Sequence, residues 1–180
     1  DNITKIGESA FEQSSNANNS FYYLESITIP ENVTSIGEKA FYDLSNLKTI
    51  TIPKSVTNIG KHAFDKTAWL MEKQEENPLV IVNGILIDGK TASGDVVIPE
   101  TFNDEKVTKI IADAFILNKN ITGVTIPNSV TSIGDRAFYK CESLESVVIP
   151  DSITSIGNWT FTNCKSLENV TLPNTITSIG

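Results

Sequence analysis

The chain has 180 residues, 39% of them hydrophobic and 20% charged, which supplies enough apolar material for a packed core and excludes a disordered chain. Its net charge of −8 and pI near 4.6 argue against nucleic acid or an anionic membrane as partner, since both reward clustered Lys and Arg. No run approaches the roughly 18 apolar residues that a membrane-spanning helix needs, and residues 1–11 have neither the charged start nor the apolar stretch of a signal peptide.

A phrase of 23 residues recurs along the chain, most cleanly over 129–150 and 152–173. Pro30, Pro53, Pro99, Pro127, Pro150 and Pro173 each close one copy, and the step from Pro53 to Pro99 spans two whole periods. A fixed period in this range predicts a solenoid, in which each coil touches only its neighbours and repetition builds one long surface. The expected architecture is a single repeat solenoid over 1–180, β-rich with short helical turns and about seven coils. Both ends, at 1–7 and 178–180, fall in mid-phrase, and end coils need polar caps, so the chain reads as a fragment of a longer protein.

In chain order, the half coil 1–11 comes first and ends on Phe11. The first departure from the period follows, seven extra residues between Phe11 and Pro30 that make a polar loop, 12–20, before Phe21, Tyr22 and Tyr23. Those three aromatics read either as a binding tip or as a cover for the near end of the stack. Two regular coils lead to the second departure, at about 66–94. There Trp69, Leu70 and Met71 extend a helix, and Asn83-Gly84 marks a two-residue hairpin between apolar strands. This stretch reads as a binding site centred on Trp69 or as an irregular coil that keeps the stack continuous. The third departure, 101–106, adds an acidic loop containing Phe102, and the same coil carries Ile111 where glycine is usual.

The last coils show each slot most clearly. Leu144, Val147 and Ile149 alternate with Ser146 and Val148, which predicts a short strand with its apolar face inward and a proline at its end, where no ladder hydrogen bond is required. Val130 and Ile133 predict a second short strand. Gly134 then permits the turn, and Ala137-Phe138 occupy a short helical turn whose ring fills the coil. Phe11, Phe41, Phe64, Phe115, Phe138 and Phe161 are expected to stack as a spine. Cys141 and Cys164 lie one period apart in a slot held elsewhere by Leu44, Thr67 and Asn118, and read as two buried thiols, a bridge between adjacent coils being the alternative.

The combination of Ile-Pro, Val-Thr-Ser-Ile-Gly, Ala-Phe, a Cys or similar residue and Ser-Leu resembles the BspA-like leucine-rich repeats of bacterial surface proteins, over nearly the whole chain. The stretch 77–89 is similar to a variant coil of that family. The resemblance implies a right-handed superhelix with strands on its concave side, belonging to a secreted or wall-attached recognition module that binds host or neighbour-cell protein or glycan. No cofactor, metal or catalytic residue is implied.

The outward strand pairs are Ser26/Thr28, Thr49/Thr51, Asp95/Val97, Gly123/Thr125, Ser146/Val148 and Asn169/Thr171. They lack the Trp, Tyr and Arg that anchor interfaces, and their cross-strand pairs have a structural use. Trp159 differs: it takes the slot of Lys39, His62 and Arg136, which places it exposed on the helical edge as a candidate anchor. The candidate contact residues are therefore Phe21, Tyr22, Tyr23, Trp69, Phe102 and Trp159. Other motifs dissolve into the repeat. The sequons at Asn32, Asn120, Asn158 and Asn169 are repeat letters, and Leu172-Pro173-Asn174-Thr175 lacks the glycine of a wall-sorting signal. His62 is the sole histidine and occupies a variable exposed slot, so neither a His-based triad nor a multi-histidine metal site is expected. A structural spacer holding another domain away from the cell wall is the alternative to recognition.

Overall fold

In the computed structural model, which describes residues 2–13 and 21–180, the alternating runs form strands of two to five residues. They fall into two compact units, Asp1–Asn77 and Pro78–Gly180. Both are β-solenoid, and apart from two hairpins in the second unit their strands pair in parallel, coil on coil.

In the first unit Ser26–Thr28 pairs with Thr49–Thr51, and Lys5–Ile6, Ser35–Ile36 and Asn58–Ile59 form a three-stranded sheet. Ser35 pairs with Asn58, one period on, and with Lys5, 30 positions back. The seven extra residues of the first departure are thus absorbed outside the ladder, with the inward face of each strand unchanged.

In the second unit one sheet runs through Gly94–Val97, Ile121–Thr125, Ser146–Val148 and Asn169–Thr171. A second contains Val80–Val82, Ile85–Asp88, Lys109–Ile110 and Ser132–Ile133, and Ser155–Ile156 pairs with Ser178–Ile179. Asp95 pairs with Gly123, 28 positions on, so the five residues of the third departure are also looped out.

The turn segments carry no helix, contrary to the sequence reading. Over 136–141 the amides alternate in their partners. Arg136, Phe138 and Lys140 donate to Asn158, Thr160 and Thr162 of the next coil, while Ala137, Tyr139 and Cys141 close tight turns onto Gly134, Arg136 and Phe138. Half of the N–H groups a helix would use internally are therefore spent between coils. Left-handed residues interrupt the segment as well, at Arg136 (φ 56°) and Lys140 (φ 58°). The one α-helix among the described residues is Ala68–Glu76. Thr67 caps it, accepting from the Leu70 amide at 3.1 Å and donating to the Phe64 carbonyl at 2.7 Å.

Both irregular segments of the second unit contain two-residue hairpins. Asn83 and Gly84 (φ 49° and 69°) join Val80–Val82 to Ile85–Asp88 as the Asn-Gly pair predicts. Asn103 and Asp104 (φ 50° and 64°) likewise join Thr101–Phe102 to Glu105–Lys106, where the sequence reading had only an acidic loop.

The repeat glycine has a different reason from the one expected. Gly134 does not take a positive φ; instead a Cβ there would lie 2.2 Å from the Ala112 amide nitrogen of the preceding coil. Gly60 is similarly crowded, at 2.4 Å from the Glu38 nitrogen. Glycine is required because successive coils touch backbone to backbone.

The interior is aromatic and aliphatic. Phe11, Phe41 and Phe64 stack with centroids 5.3 and 5.6 Å apart, and Phe115, Phe138 and Phe161 with centroids 4.9 and 5.5 Å apart. Each unit thus has its own three-ring stack, and in the irregular coil it is Gly89 that lies against the Phe115 ring. The slot following these rings holds Asn118, buried, which donates to the Gly89 and Ala92 carbonyls and accepts from the Asn120 and Ile121 amides. Cys141 and Cys164 are free thiols in the same slot, donating to the Phe115 and Phe138 carbonyls of the preceding coils. The adjacent Cys164 thiol, and then burial, pushes Cys141 well above the ordinary thiol range; Cys141 in turn lowers Cys164.

Candidate functional site

In each unit two side-chain slots line the turn edge of the coils, and the backbone sets both. Ser9, Lys39, His62, Asp113, Arg136 and Trp159 occupy one slot with φ between 51° and 61°. Asp43, Lys66, Leu117, Lys140 and Asn163 occupy a slot four residues later with φ between 58° and 65°. A left-handed residue with a Cβ costs roughly 1–2 kcal/mol, which the ladder on either side imposes on whatever side chain is present. Because the side chains project from the turns, the slots tolerate wide variation.

Cations gather over tyrosines along this edge. In the first unit Lys66 and Lys39 lie 4.7 and 5.6 Å from the Tyr42 ring centroid. The hydrogen bond of Lys66 with Tyr42 raises its pKa, outweighing lost hydration, and Asp43 adds to the rise. In the second unit Arg136 and Lys140 lie 5.1 and 5.3 Å from the Tyr139 ring. Arg136 also pairs with the buried Asp113 carboxylate at 3.2 Å. Beyond them Glu142 bridges Lys165 at 2.8 Å and Lys119 at 3.8 Å. The Lys165 hydrogen bond and charge, followed by the Lys119 charge, hold the Glu142 carboxyl below its usual range.

Trp159 stands at the end of this row, 63% exposed. With Arg136, Tyr139 and Thr162 it lines a shallow pocket of about 350 Å³.

The other predicted residues are dispersed. Tyr22 and Tyr23 are exposed, their rings edge to face at 5.1 Å, and the Tyr22 carbonyl accepts from Asn46 Nδ2 at 2.7 Å. Phe21 is half-buried, edge to face with Phe11 at 5.3 Å, and so covers the ring stack. Most of the polar loop before it, 14–20, lies outside the described residues. Phe102 is half-buried on its hairpin. Trp69 is corrected outright: it is only 7% exposed, packs on Phe64 at 4.9 Å, and belongs to the core. Its place in the first turn of a Thr-capped helix explains this, since the cap fixes the helix start and turns the indole onto the ring stack.

The outward strand pairs are solvent-facing with one exception. Gly123 is buried, its hydrogens beneath the Asp95 carboxylate, and a Cβ there would lie 2.7 Å from Asp95 Oδ1. Sequence reasoning missed Tyr139 and Arg136, which stand with Trp159 in one pocket. The available signal was the in-register spacing of 136 and 159, one period apart.

The sequence matches the family described as "BspA type Leucine rich repeat region" in six copies, over residues 15–77 and 95–180. The gap between these ranges includes the hairpin at Asn83-Gly84. Among solved structures, the chain is similar to the pneumococcal vaccine antigen PcpA, with 20% identity and a TM-score of 0.54, covering 99% of this chain and 50% of that one. A Treponema pallidum (T. pallidum) leucine-rich repeat protein matches with 24% identity and a TM-score of 0.48, over 99% of this chain and 67% of that one. A Bacteroides ovatus leucine-rich repeat protein gives 27% identity and a TM-score of 0.44, over 99% and 43%. The chain thus spans about half the length of the pneumococcal protein and less of the Bacteroides one. No match is found among curated proteins. Period, ladder register and family match agree: the chain belongs to the BspA-type leucine-rich repeat family.

Proposed function

We propose that the chain is a non-catalytic recognition module, displayed outside the cell in a secreted or wall-attached protein, that binds a protein or glycan ligand. One observation carries the reading: Trp159 places a large aromatic in the left-handed turn-edge slot that Lys39, His62 and Arg136 hold in other coils. Tyr22 and Tyr23 are exposed aromatics. The coil interiors, by contrast, are filled by side chains such as Phe41, Leu44, Phe138 and Leu144, so the variable material lies on the outside. Surface display is drawn from the family. The purified chain applied to arrays of matrix proteins, mucins and glycans is expected to bind at least one class; a clean blank across all of them sinks the reading.

A spacer role is the second reading, favoured by the small outward side chains of the strands, such as Ser146, Thr125 and Thr171. It is decided by deleting one coil within a parent protein: a spacer changes the reach of its neighbour, whereas a recognition module changes ligand affinity.

A further inference from the structure

We propose that the turn edge of the second unit, centred on Trp159, docks an acidic protein segment that carries an aromatic or aliphatic side chain beside its carboxylates. This deepens the recognition reading above and rests on it.

The backbone ladder builds the surface. Leu117 N donates to Tyr139 O, Arg136 N to Asn158 O and Lys140 N to Thr162 O, so three successive coils are held in register along this edge. Leu117 and Lys140 then share one row, Arg136 and Trp159 another, and Tyr139 and Thr162 the row between. Leu117, with a coil on either side, is still 54% exposed, so it is not spent on the core; Trp159 shares the turn-edge slot of Arg136. Leu117 and Trp159 lie two coil steps apart along the stack, about 10 Å at the spacing of paired strands, and in different rows. They are therefore separate apolar points either side of Lys140, Tyr139 and Arg136, a span wider than the pocket of about 350 Å³ beside Trp159 alone.

Charge selects the partner's sign. In a chain of net charge −8, this edge presents two cations over one tyrosine. The Arg136 charge is matched by the buried Asp113, while Lys140 forms no ion pair among the described residues. An ammonium with no direct ion pair, whose charge reaches only Glu142 nearby, can take a carboxylate flanked by apolar side chains. Trp, Tyr and Arg are also the residue types that dominate protein hot spots, and a ring already held between two cations loses little freedom on binding.

The test titrates the full chain with fluorescein-labelled peptides in which Glu and Phe content vary independently. Tight binding is expected only where both are present, and it weakens with salt. Trp159→Asn keeps a residue that tolerates the left-handed slot, and Lys140→Glu alters a partly exposed side chain; each is expected to weaken binding at least about tenfold. In the wild-type chain, bound peptide shifts Trp159 emission to the blue, while Trp69 is buried and stays silent. Full binding by both variants, equal binding of basic peptides, binding of no acidic-aromatic peptide, or selective capture of a sialylated or sulfated glycan each overturns the proposal. If the wild-type chain binds nothing on the protein and glycan arrays, the recognition reading itself fails. If it binds there and both variants bind equally well, only the surface assigned to it is lost.

Discussion

Gly60 and Gly134 are the residues whose role sequence inspection misjudges most easily. A glycine after a short strand invites a turn explanation, yet neither uses a positive φ, and the left-handed positions fall on residues such as His62 and Arg136. The distinction has a measurable outcome. Gly60→Ala or Gly134→Ala places a methyl within 2.4 Å of backbone atoms in the preceding coil and is expected to cost about 1–3 kcal/mol as overpacking. Gly7→Ala meets nothing within 4 Å and is expected to be close to neutral; denaturant midpoints compare the three. The cysteines offer a second check. Cys141 is fully buried and its thiol pKa raised, whereas Cys164 is half-buried and lowered. Thiolate is the reactive form, so iodoacetamide at mildly alkaline pH is expected to label Cys164 well before Cys141, as peptide mass mapping would show. Equal labelling contradicts that order. That this slot accepts Asn118, Cys141 or Cys164 was legible from the alignment of coils. Its cause was not, because the shared property is a donor aimed at a carbonyl of the preceding coil.

At the scale of elements, the strands were legible because a two-residue alternation with a proline terminus has one reading, and the ladder keeps that register through both insertions. The turn segments were not. Ala137-Phe138 is compatible with a helical turn by propensity, and only the competition for amide partners between the coil and its neighbour decides against it. The hairpin at Asn103-Asp104 was missed because two charged residues flank it and the apolar strands that advertise Asn83-Gly84 are absent. Stacking makes each coil depend on its neighbours. Phe138→Ala is expected to destabilise by about 3–5 kcal/mol and to lower amide protection at Phe115 and Thr162 as well as at its own coil. Hydrogen exchange followed by residue would measure this, and a loss confined to residues 134–144 would contradict neighbour coupling.

Over the whole molecule, acidity and repetition limit what the surface can do, and the turn edge is where both are locally suspended. The outward strand face carries Thr125 and Val148 in register, small side chains with little to offer a partner. Thr125→Ala and Val148→Ser are therefore expected to leave affinity for any ligand found on the arrays within about twofold, well inside the tenfold range of hot-spot losses. A larger loss would move the binding face from the turns to the strands.

The amino-acid sequence by itself determined the coil: its period, its two strands, its ring slot, its insertions and its family, because each follows from local alternation repeated in phase. It also singled out Trp159, as a bulky letter in a slot of polar ones. Tertiary structure alone decided that Trp69 is core, that glycine serves contact between coils, that the phenylalanines form a three-ring stack in each unit, and that Arg136 and Tyr139 stand with Trp159. Those facts depend on which residues meet across a 23-residue step and on how deeply each is covered. Neither is a property of the one-dimensional pattern.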